Sequence, residues 1–99
     1  MSTPEKKVKE AIKRVLKKYK VYYFMPATGG YGRSGVPDFI CCANGLFLAI
    51  EAKAGGNGVT ALQAREIASI REAGGAALVL NEENVDDLEL HITWWLSCQ

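Results

Sequence analysis

Two apolar runs meet at Asn44-Gly45, and that junction constrains the fold more than any other part of the chain. Asn-Gly accepts positive φ at both central positions of a type I′ turn, the turn whose twist suits a two-residue hairpin. The flanking stretches, from about residue 38 to 43 and from 46 to 50, therefore predict two antiparallel strands. Leu46-Phe47-Leu48-Ala49-Ile50 has no polar interruption, the pattern of a strand covered on both faces. That strand runs on into Glu51-Ala52-Lys53. In a hairpin the start of one strand lies beside the end of the next, so counting back from Asn44-Gly45 sets Asp38 near Glu51. Alternation sets Glu51 and Lys53 on one face. Asp38, Glu51 and Lys53 are thus expected at one rim of the sheet.

The remaining elements are read from spacing and punctuation. Ser2 or Thr3 can cap a first helix that has Pro4 in its first turn. Val8, Ala11, Ile12, Val15, Leu16 and Tyr19 form its apolar stripe. Glu5 falls inside that stripe and Glu10 falls among the lysines on the opposite face. Those lysines are expected to lie away from any site that Glu5 reaches. Residues 21–25 read as a strand. Thr60-Ala61-Leu62-Gln63 is a capping box that opens a second helix, and Gly74-Gly75 ends it. Residues 76–80 read as another buried strand. Asn84 is the expected cap of a last helix in which Val85, Leu88, Ile92 and Trp95 share a face. The order α-β-β-β-α-β plus a C-terminal helix predicts a single α/β domain over residues 1–99, a mixed β-sheet flanked by helices.

Bulk properties exclude several classes. No run of eighteen apolar residues is present, so no membrane helix is expected, and the charged N-terminus lacks a signal core. Cys41, Cys42 and Cys98 form no C-x-x-C pair, and zinc would need more ligands at ligand spacing. Reduced, packed cysteines in a cytoplasmic protein are the expectation. One histidine, His91, excludes chemistry built on several histidines. The net charge of +1 is unevenly spread: the first twenty residues hold eight Lys or Arg against two Glu. That basic helix is either a nucleic-acid footprint or a solvated face.

The rim residues carry the chemistry. Two carboxylates held close repel one another unless a positive charge sits between them. Oxygen ligands of this kind suit Mg²⁺, with Mn²⁺ as a substitute, and the ion lowers the pKa of a bound water. Lys53 beside them can hold or activate that water, or offset charge on a phosphate. The structural alternative is a pair of surface salt bridges, Glu51 with Lys53 or Asp38 with Arg33. Upstream, Gly30-Tyr31-Gly32-Arg33-Ser34-Gly35 matches G-x-G-x-x-G, but a dinucleotide loop must open into a helix. Here the glycines run into a proline and a strand, so no nucleotide cofactor is expected.

Gly35-Val36-Pro37-Asp38, twelve residues, then Glu51-Ala52-Lys53 resembles the P-D…(D/E)-x-K signature of the restriction-endonuclease-like nucleases. Its detailed form, with Ser34 before Gly35 and with Gln63 in the second helix, is similar to the virus-type replication-repair nuclease (VRR-NUC) domain. The resemblance covers residues 5 to about 80. It implies a restriction-endonuclease-like core and a metal-dependent DNA endonuclease. Asp38, Glu51 and the backbone carbonyl of Ala52 would hold the divalent metal, and Lys53 would position the water. Glu5 matches the family's additional acidic residue, which reaches metal directly or through water. Its other role is to complement the helix dipole. Gln63 matches the polar residue on the second helix, and one side chain is not expected to serve both site and cap. In the glycine loop Arg33, Ser34 and Gly35 would meet DNA phosphates, and Tyr31 would stack on a base. Free-standing members resemble homodimers that cut four-way DNA junctions, so branched DNA and a second copy are the implied partners. Trp94 and Trp95 point about 100° apart on a helix, so one of them is available to a dimer interface, or both serve the core. Two other functions compete: a nucleic-acid-binding module without hydrolysis, and a protein-interaction domain built on the last helix.

Overall fold

The computed structural model describes residues 3–27 and 32–98. Seven elements follow one another: α1 (Pro4–Lys18), β1 (Tyr22–Phe24), β2 (Phe39–Ala43), β3 (Leu46–Ala52), α2 (Ala61–Glu72), β4 (Ala76–Leu80) and α3 (Asp87–Ser97). The strands form one sheet in the order β1-β2-β3-β4. β1 with β2 and β2 with β3 are antiparallel, and β3 with β4 is parallel. The sheet is mixed, as the order of elements implied, and α2 is the crossover that the parallel pair requires. At Asn44-Gly45 both residues have positive φ, 52° and 82°, and the hairpin closes there with Ala43 opposite Leu46.

Side-chain alternation divides the sheet into two faces. Phe39, Cys41, Ala43, Leu48, Ile50, Ala52 and Leu80 point to one side. There they meet Val8, Ile12 and Leu16 of α1, and Leu88 and Ile92 of α3 with Val85 before it. This is the main core. On the other face Ala49 and Ala77 pack under Ile67 of α2, with Ile40, Ile70 and Val79 around them. α2 covers only the β3–β4 half of that face. Phe47, expected inside a strand covered on both sides, is therefore exposed, and Tyr22 on β1 is 70% exposed. No helix among the described residues is long and apolar enough to cross a membrane.

Local signals account for most element ends. The Thr3 hydroxyl accepts the Lys6 N–H at 3.1 Å, so of the two possible caps Thr3 is the one used. Thr60 caps α2 with a complete capping box. Asn84 does not cap α3. It closes the turn after β4, where its Oδ1 accepts the Asn81 N–H at 2.7 Å and its Nδ2 donates to the Val79 carbonyl at 3.3 Å. α3 then starts at Asp87 with no side-chain cap bond, because Asn84 is occupied one turn too early.

The two longer helices end in the same Schellman arrangement with different residues. After α2, the Gly75 N–H reaches the Ile70 carbonyl and the Gly74 N–H reaches Arg71, with Gly74 at φ 96°. After α1, the Val21 N–H reaches Leu16 and the Lys20 N–H reaches Lys17, with Lys20 at φ 55°. A residue with a Cβ is disfavoured in this left-handed position, where glycine is the usual choice. Lys20→Gly is expected to stabilise the protein by about 0.5–1 kcal/mol, read as a higher denaturant midpoint at unchanged slope. Gly74→Lys should lower the midpoint by a similar amount.

Candidate functional site

The hairpin register builds the site. Phe39 lies opposite Ile50, so the next position outward sets Asp38 beside Glu51. Asp38 sits just before β2, following Pro37, whose fixed φ and missing N–H suit the entrance of a strand. Its Oδ2 accepts the Ala52 N–H at 2.9 Å, which ties the carboxylate to the end of β3. Beyond Ala52 the Lys53 N–H donates to the Leu80 carbonyl at 2.9 Å, so the parallel pairing with β4 fixes the backbone on the other side. Asp38, Glu51 and Lys53 therefore converge at one rim.

Glu51 is the one charged side chain of the buried set among the described residues, 4% exposed. It faces α2. Its Oε2 accepts from Gln63 Nε2 at 3.1 Å and lies 3.7 Å from Lys53 Nζ. Its Oε1 is buried and has no hydrogen-bond partner. Burial pushes the carboxyl from its ordinary value of 4.5 up to about 7, the charge of nearby Asp38 pushes the same way, and Lys53 opposes them. An orphaned buried carboxylate oxygen beside a second carboxylate is a donor set that suits a hard divalent cation. Among the described residues, no three His, Cys, Asp or Glu side chains are drawn together as a metal-holding group. The acidic pair, with the adjacent Ala52 carbonyl, is what such an ion would use.

Gln63 does two jobs. Its Oε1 accepts the Thr60 N–H at 2.9 Å while its Nε2 reaches Glu51. The expectation that one side chain would not serve both cap and site is corrected here. The amide has an acceptor end and a donor end, and the cap uses only the acceptor. The same contact ties the start of α2 to the end of β3.

Glu5 lies at the rim of the site, its side chain 45% exposed, 3.7 Å from Lys9 Nζ. Lys9 also lies 3.6 Å from Asp38 Oδ1. The reading that put every α1 lysine on the far side of the helix is therefore wrong for Lys9. One turn separates it from Glu5, so the two share a face; the signal was in the spacing. Arg33 does not pair with Asp38. Its guanidinium meets Glu66 of α2 at 2.8 Å, a partner that the sequence reading missed. Lys53 with Glu51 is the expected alternative pair that does form, though with Glu51 buried and Lys53 half-buried instead of at the surface. Tyr31 lies outside the described residues.

A cleft of about 500 Å³ opens over the acidic pair, lined by Arg33, Ser34, Gly35, Asp38, Glu51 and Gln63 together with Pro26, Ala27, Gly32 and Val36. Gly35 holds its wall against α2. It has φ +82°, and a Cβ there would stand 2.5 Å from the Leu62 carbonyl carbon and 2.8 Å from the Gln63 nitrogen. Only glycine lets the loop approach α2 this closely. Gly35→Ala is expected to cost roughly 1–3 kcal/mol and to displace the cleft wall, seen as a lower melting temperature and as shifted amide resonances at Leu62 and Gln63.

The raised Glu51 pKa fixes a pH dependence. Between about 4.5 and 7 the folded protein holds a proton that the unfolded chain releases. The stability from this group is therefore full below about 4.5 and is lost as pH rises through about 7. The effect is on the order of 3 kcal/mol. Glu51→Gln keeps an acceptor for Gln63 and removes the charge. Thermal unfolding at pH 5 and pH 8 should give a smaller difference for Glu51→Gln than for wild type, with the variant the more stable at pH 8.

By sequence, no protein-family model matches the chain and no curated protein matches it. By structure, a solved "VRR_NUC domain" is similar over 91% of this chain and 98% of its own, with a TM-score of 0.73 and 23% identity. The chain therefore has the fold of a VRR_NUC domain, and the cleft over Asp38 and Glu51 opens at the rim of its sheet.

Proposed function

We propose that this protein is a nuclease that hydrolyses phosphodiester bonds in DNA with a divalent metal, Mg²⁺ or Mn²⁺, and that as a homodimer it resolves four-way junctions. The observation that carries the reading is the buried Glu51 with half-buried Asp38 next to it and Lys53 beside it, and with Glu51 Oε1 left without a partner. The VRR_NUC fold of the neighbour supports the reaction class. Asp38, Glu51 and the Ala52 carbonyl would hold the ion, with Glu5 reaching it through water. Bound there, the metal would supply an acidified water and positive charge for the phosphate.

The chain's own residues have separate tasks. Lys53 is held by the sheet through its backbone and keeps its ammonium near Glu51, where it can orient a water and offset charge that grows on a phosphate oxygen. Gln63 holds the Glu51 carboxylate in one rotamer. Arg33 and Ser34 stand exposed at the cleft mouth for DNA phosphates, and Gly35 keeps that wall thin. Tyr31, in the same loop, would stack on a base.

A second copy is supported by α3. Leu90 and Trp94 stand one turn apart, 69% and 64% exposed, while Trp95 packs against the core. A two-fold pair of sites suits a junction in which two strands must be cut. Free thiols at Cys41, Cys42 and Cys98 are in keeping with a reducing compartment such as the cytoplasm.

The test uses a labelled four-way junction, a 5′-flap and a linear duplex, each with Mg²⁺, with Mn²⁺ and with chelator. Wild type should cut the junction only with metal, and Lys53→Ala and Asp38→Ala should each be slower by roughly 10²–10⁴-fold. Sedimentation should give two copies per particle. Cutting of the flap alone would keep the nuclease and remove the resolvase assignment. Binding without cutting under every metal would leave a nucleic-acid-binding module.

A further inference from the structure

α1 contributes a second lysine to the rim, and it stands where the acidic cluster is open. Lys9 Nζ is 3.7 Å from Glu5 Oε2 and 3.6 Å from Asp38 Oδ1, with its side chain 28% exposed. Among the described residues this is the ion pair that joins α1 to the segment carrying Asp38. Each distance exceeds ordinary hydrogen-bond length, so the ammonium sits between the two carboxylates without being locked to either. The side of the cluster towards Glu51 lacks such a cation contact for Oε1, which is buried and unpartnered. Lys13, one turn further along, pairs with Glu10 instead, so the arrangement belongs to Lys9 and not to the lysine-rich helix in general.

We infer that Lys9 is a built-in cation that holds Glu5 and Asp38 in place before a divalent metal arrives and then competes with that metal for Asp38. The inference rests on the metal site proposed above. The carboxylates of Glu5 and Asp38 flank the Lys9 ammonium, and that of Glu51 lies beside Lys53. A divalent ion on Asp38 and Glu51 must displace Lys9 from Asp38 or bind against its charge. Lys9 is thus a positioning residue that sets metal affinity, keeping the rim formed at low metal while weakening capture of the ion.

Mn²⁺ binding to the metal-free protein without DNA tests this, by titration calorimetry at fixed pH and salt. Lys9→Gln keeps a polar, slightly shorter side chain but removes the charge, Lys9→Arg keeps the charge, and Lys13→Gln is a control of equal net charge. Lys9→Gln should bind Mn²⁺ on the order of tenfold tighter than wild type, while Lys9→Arg and Lys13→Gln stay within about twofold. Lys9→Gln should also melt lower than wild type without metal and gain more from added Mn²⁺. Equal or weaker binding by Lys9→Gln, with wild type binding normally, would overturn the role of Lys9 and leave the metal site standing. An equal tightening in Lys13→Gln would reduce the effect to net charge and also overturn it. Failure of every protein to bind Mn²⁺ would remove the metal site and this inference together.

Discussion

The closeness of Asp38 and Glu51 is the constraint on which the rest of the rim depends. Two carboxylates at neighbouring strand positions disfavour one another, and the burial of Glu51 adds a desolvation cost. The fold meets this with donors from three directions. Ala52 gives a backbone N–H to Asp38, Gln63 gives an amide N–H to Glu51, and Lys53 and Lys9 bring charge from β3 and α1. What is left unmet is one oxygen of Glu51. Each of these donors is held by an element whose main task is structural, so the rim is stiff wherever the sheet and α2 are stiff.

The two faces of the sheet divide the work. The face under α1 and α3 holds nearly all of the large buried side chains and stabilises the domain. The face under α2 is thinner and half open, and Glu51 belongs to it. Core and cleft are thus separated by strand alternation within one segment: Ile50 and Ala52 go to the core while Glu51 goes to the cleft. The loop at 32–37 is pinned on this thinner side by Gly35 against Leu62 and by Arg33 on Glu66.

Much of this was legible in the sequence. Asn44-Gly45 sets the hairpin, the hairpin sets the register, and the register brings Asp38 to Glu51. Capping boxes and paired glycines marked the ends of α2 because their bonds are local. What escaped was non-local. Lys9 counted as a solvated charge until Asp38 was placed beside it. The Arg33–Glu66 pair joins residues 33 positions apart in the chain and has no local signature. Phe47 read as buried because an apolar run does not say how far a helix extends across the sheet. Asn84 had the chemistry of a cap, but Asn81 and Val79 claimed it first.

The register of β3 has one more consequence. Side chains alternate along a strand, so slipping β3 by a single residue against β2 would turn Glu51 into the layer filled by Leu16, Leu88 and Ile92 and turn Ile50 out towards Gln63. A carboxylate would then lie in the driest part of the molecule with none of its present partners. The mispaired chain would be unstable. The acid that serves the cleft thereby acts as a proofreader of strand pairing, and a chain folded well enough to persist has its rim correctly assembled.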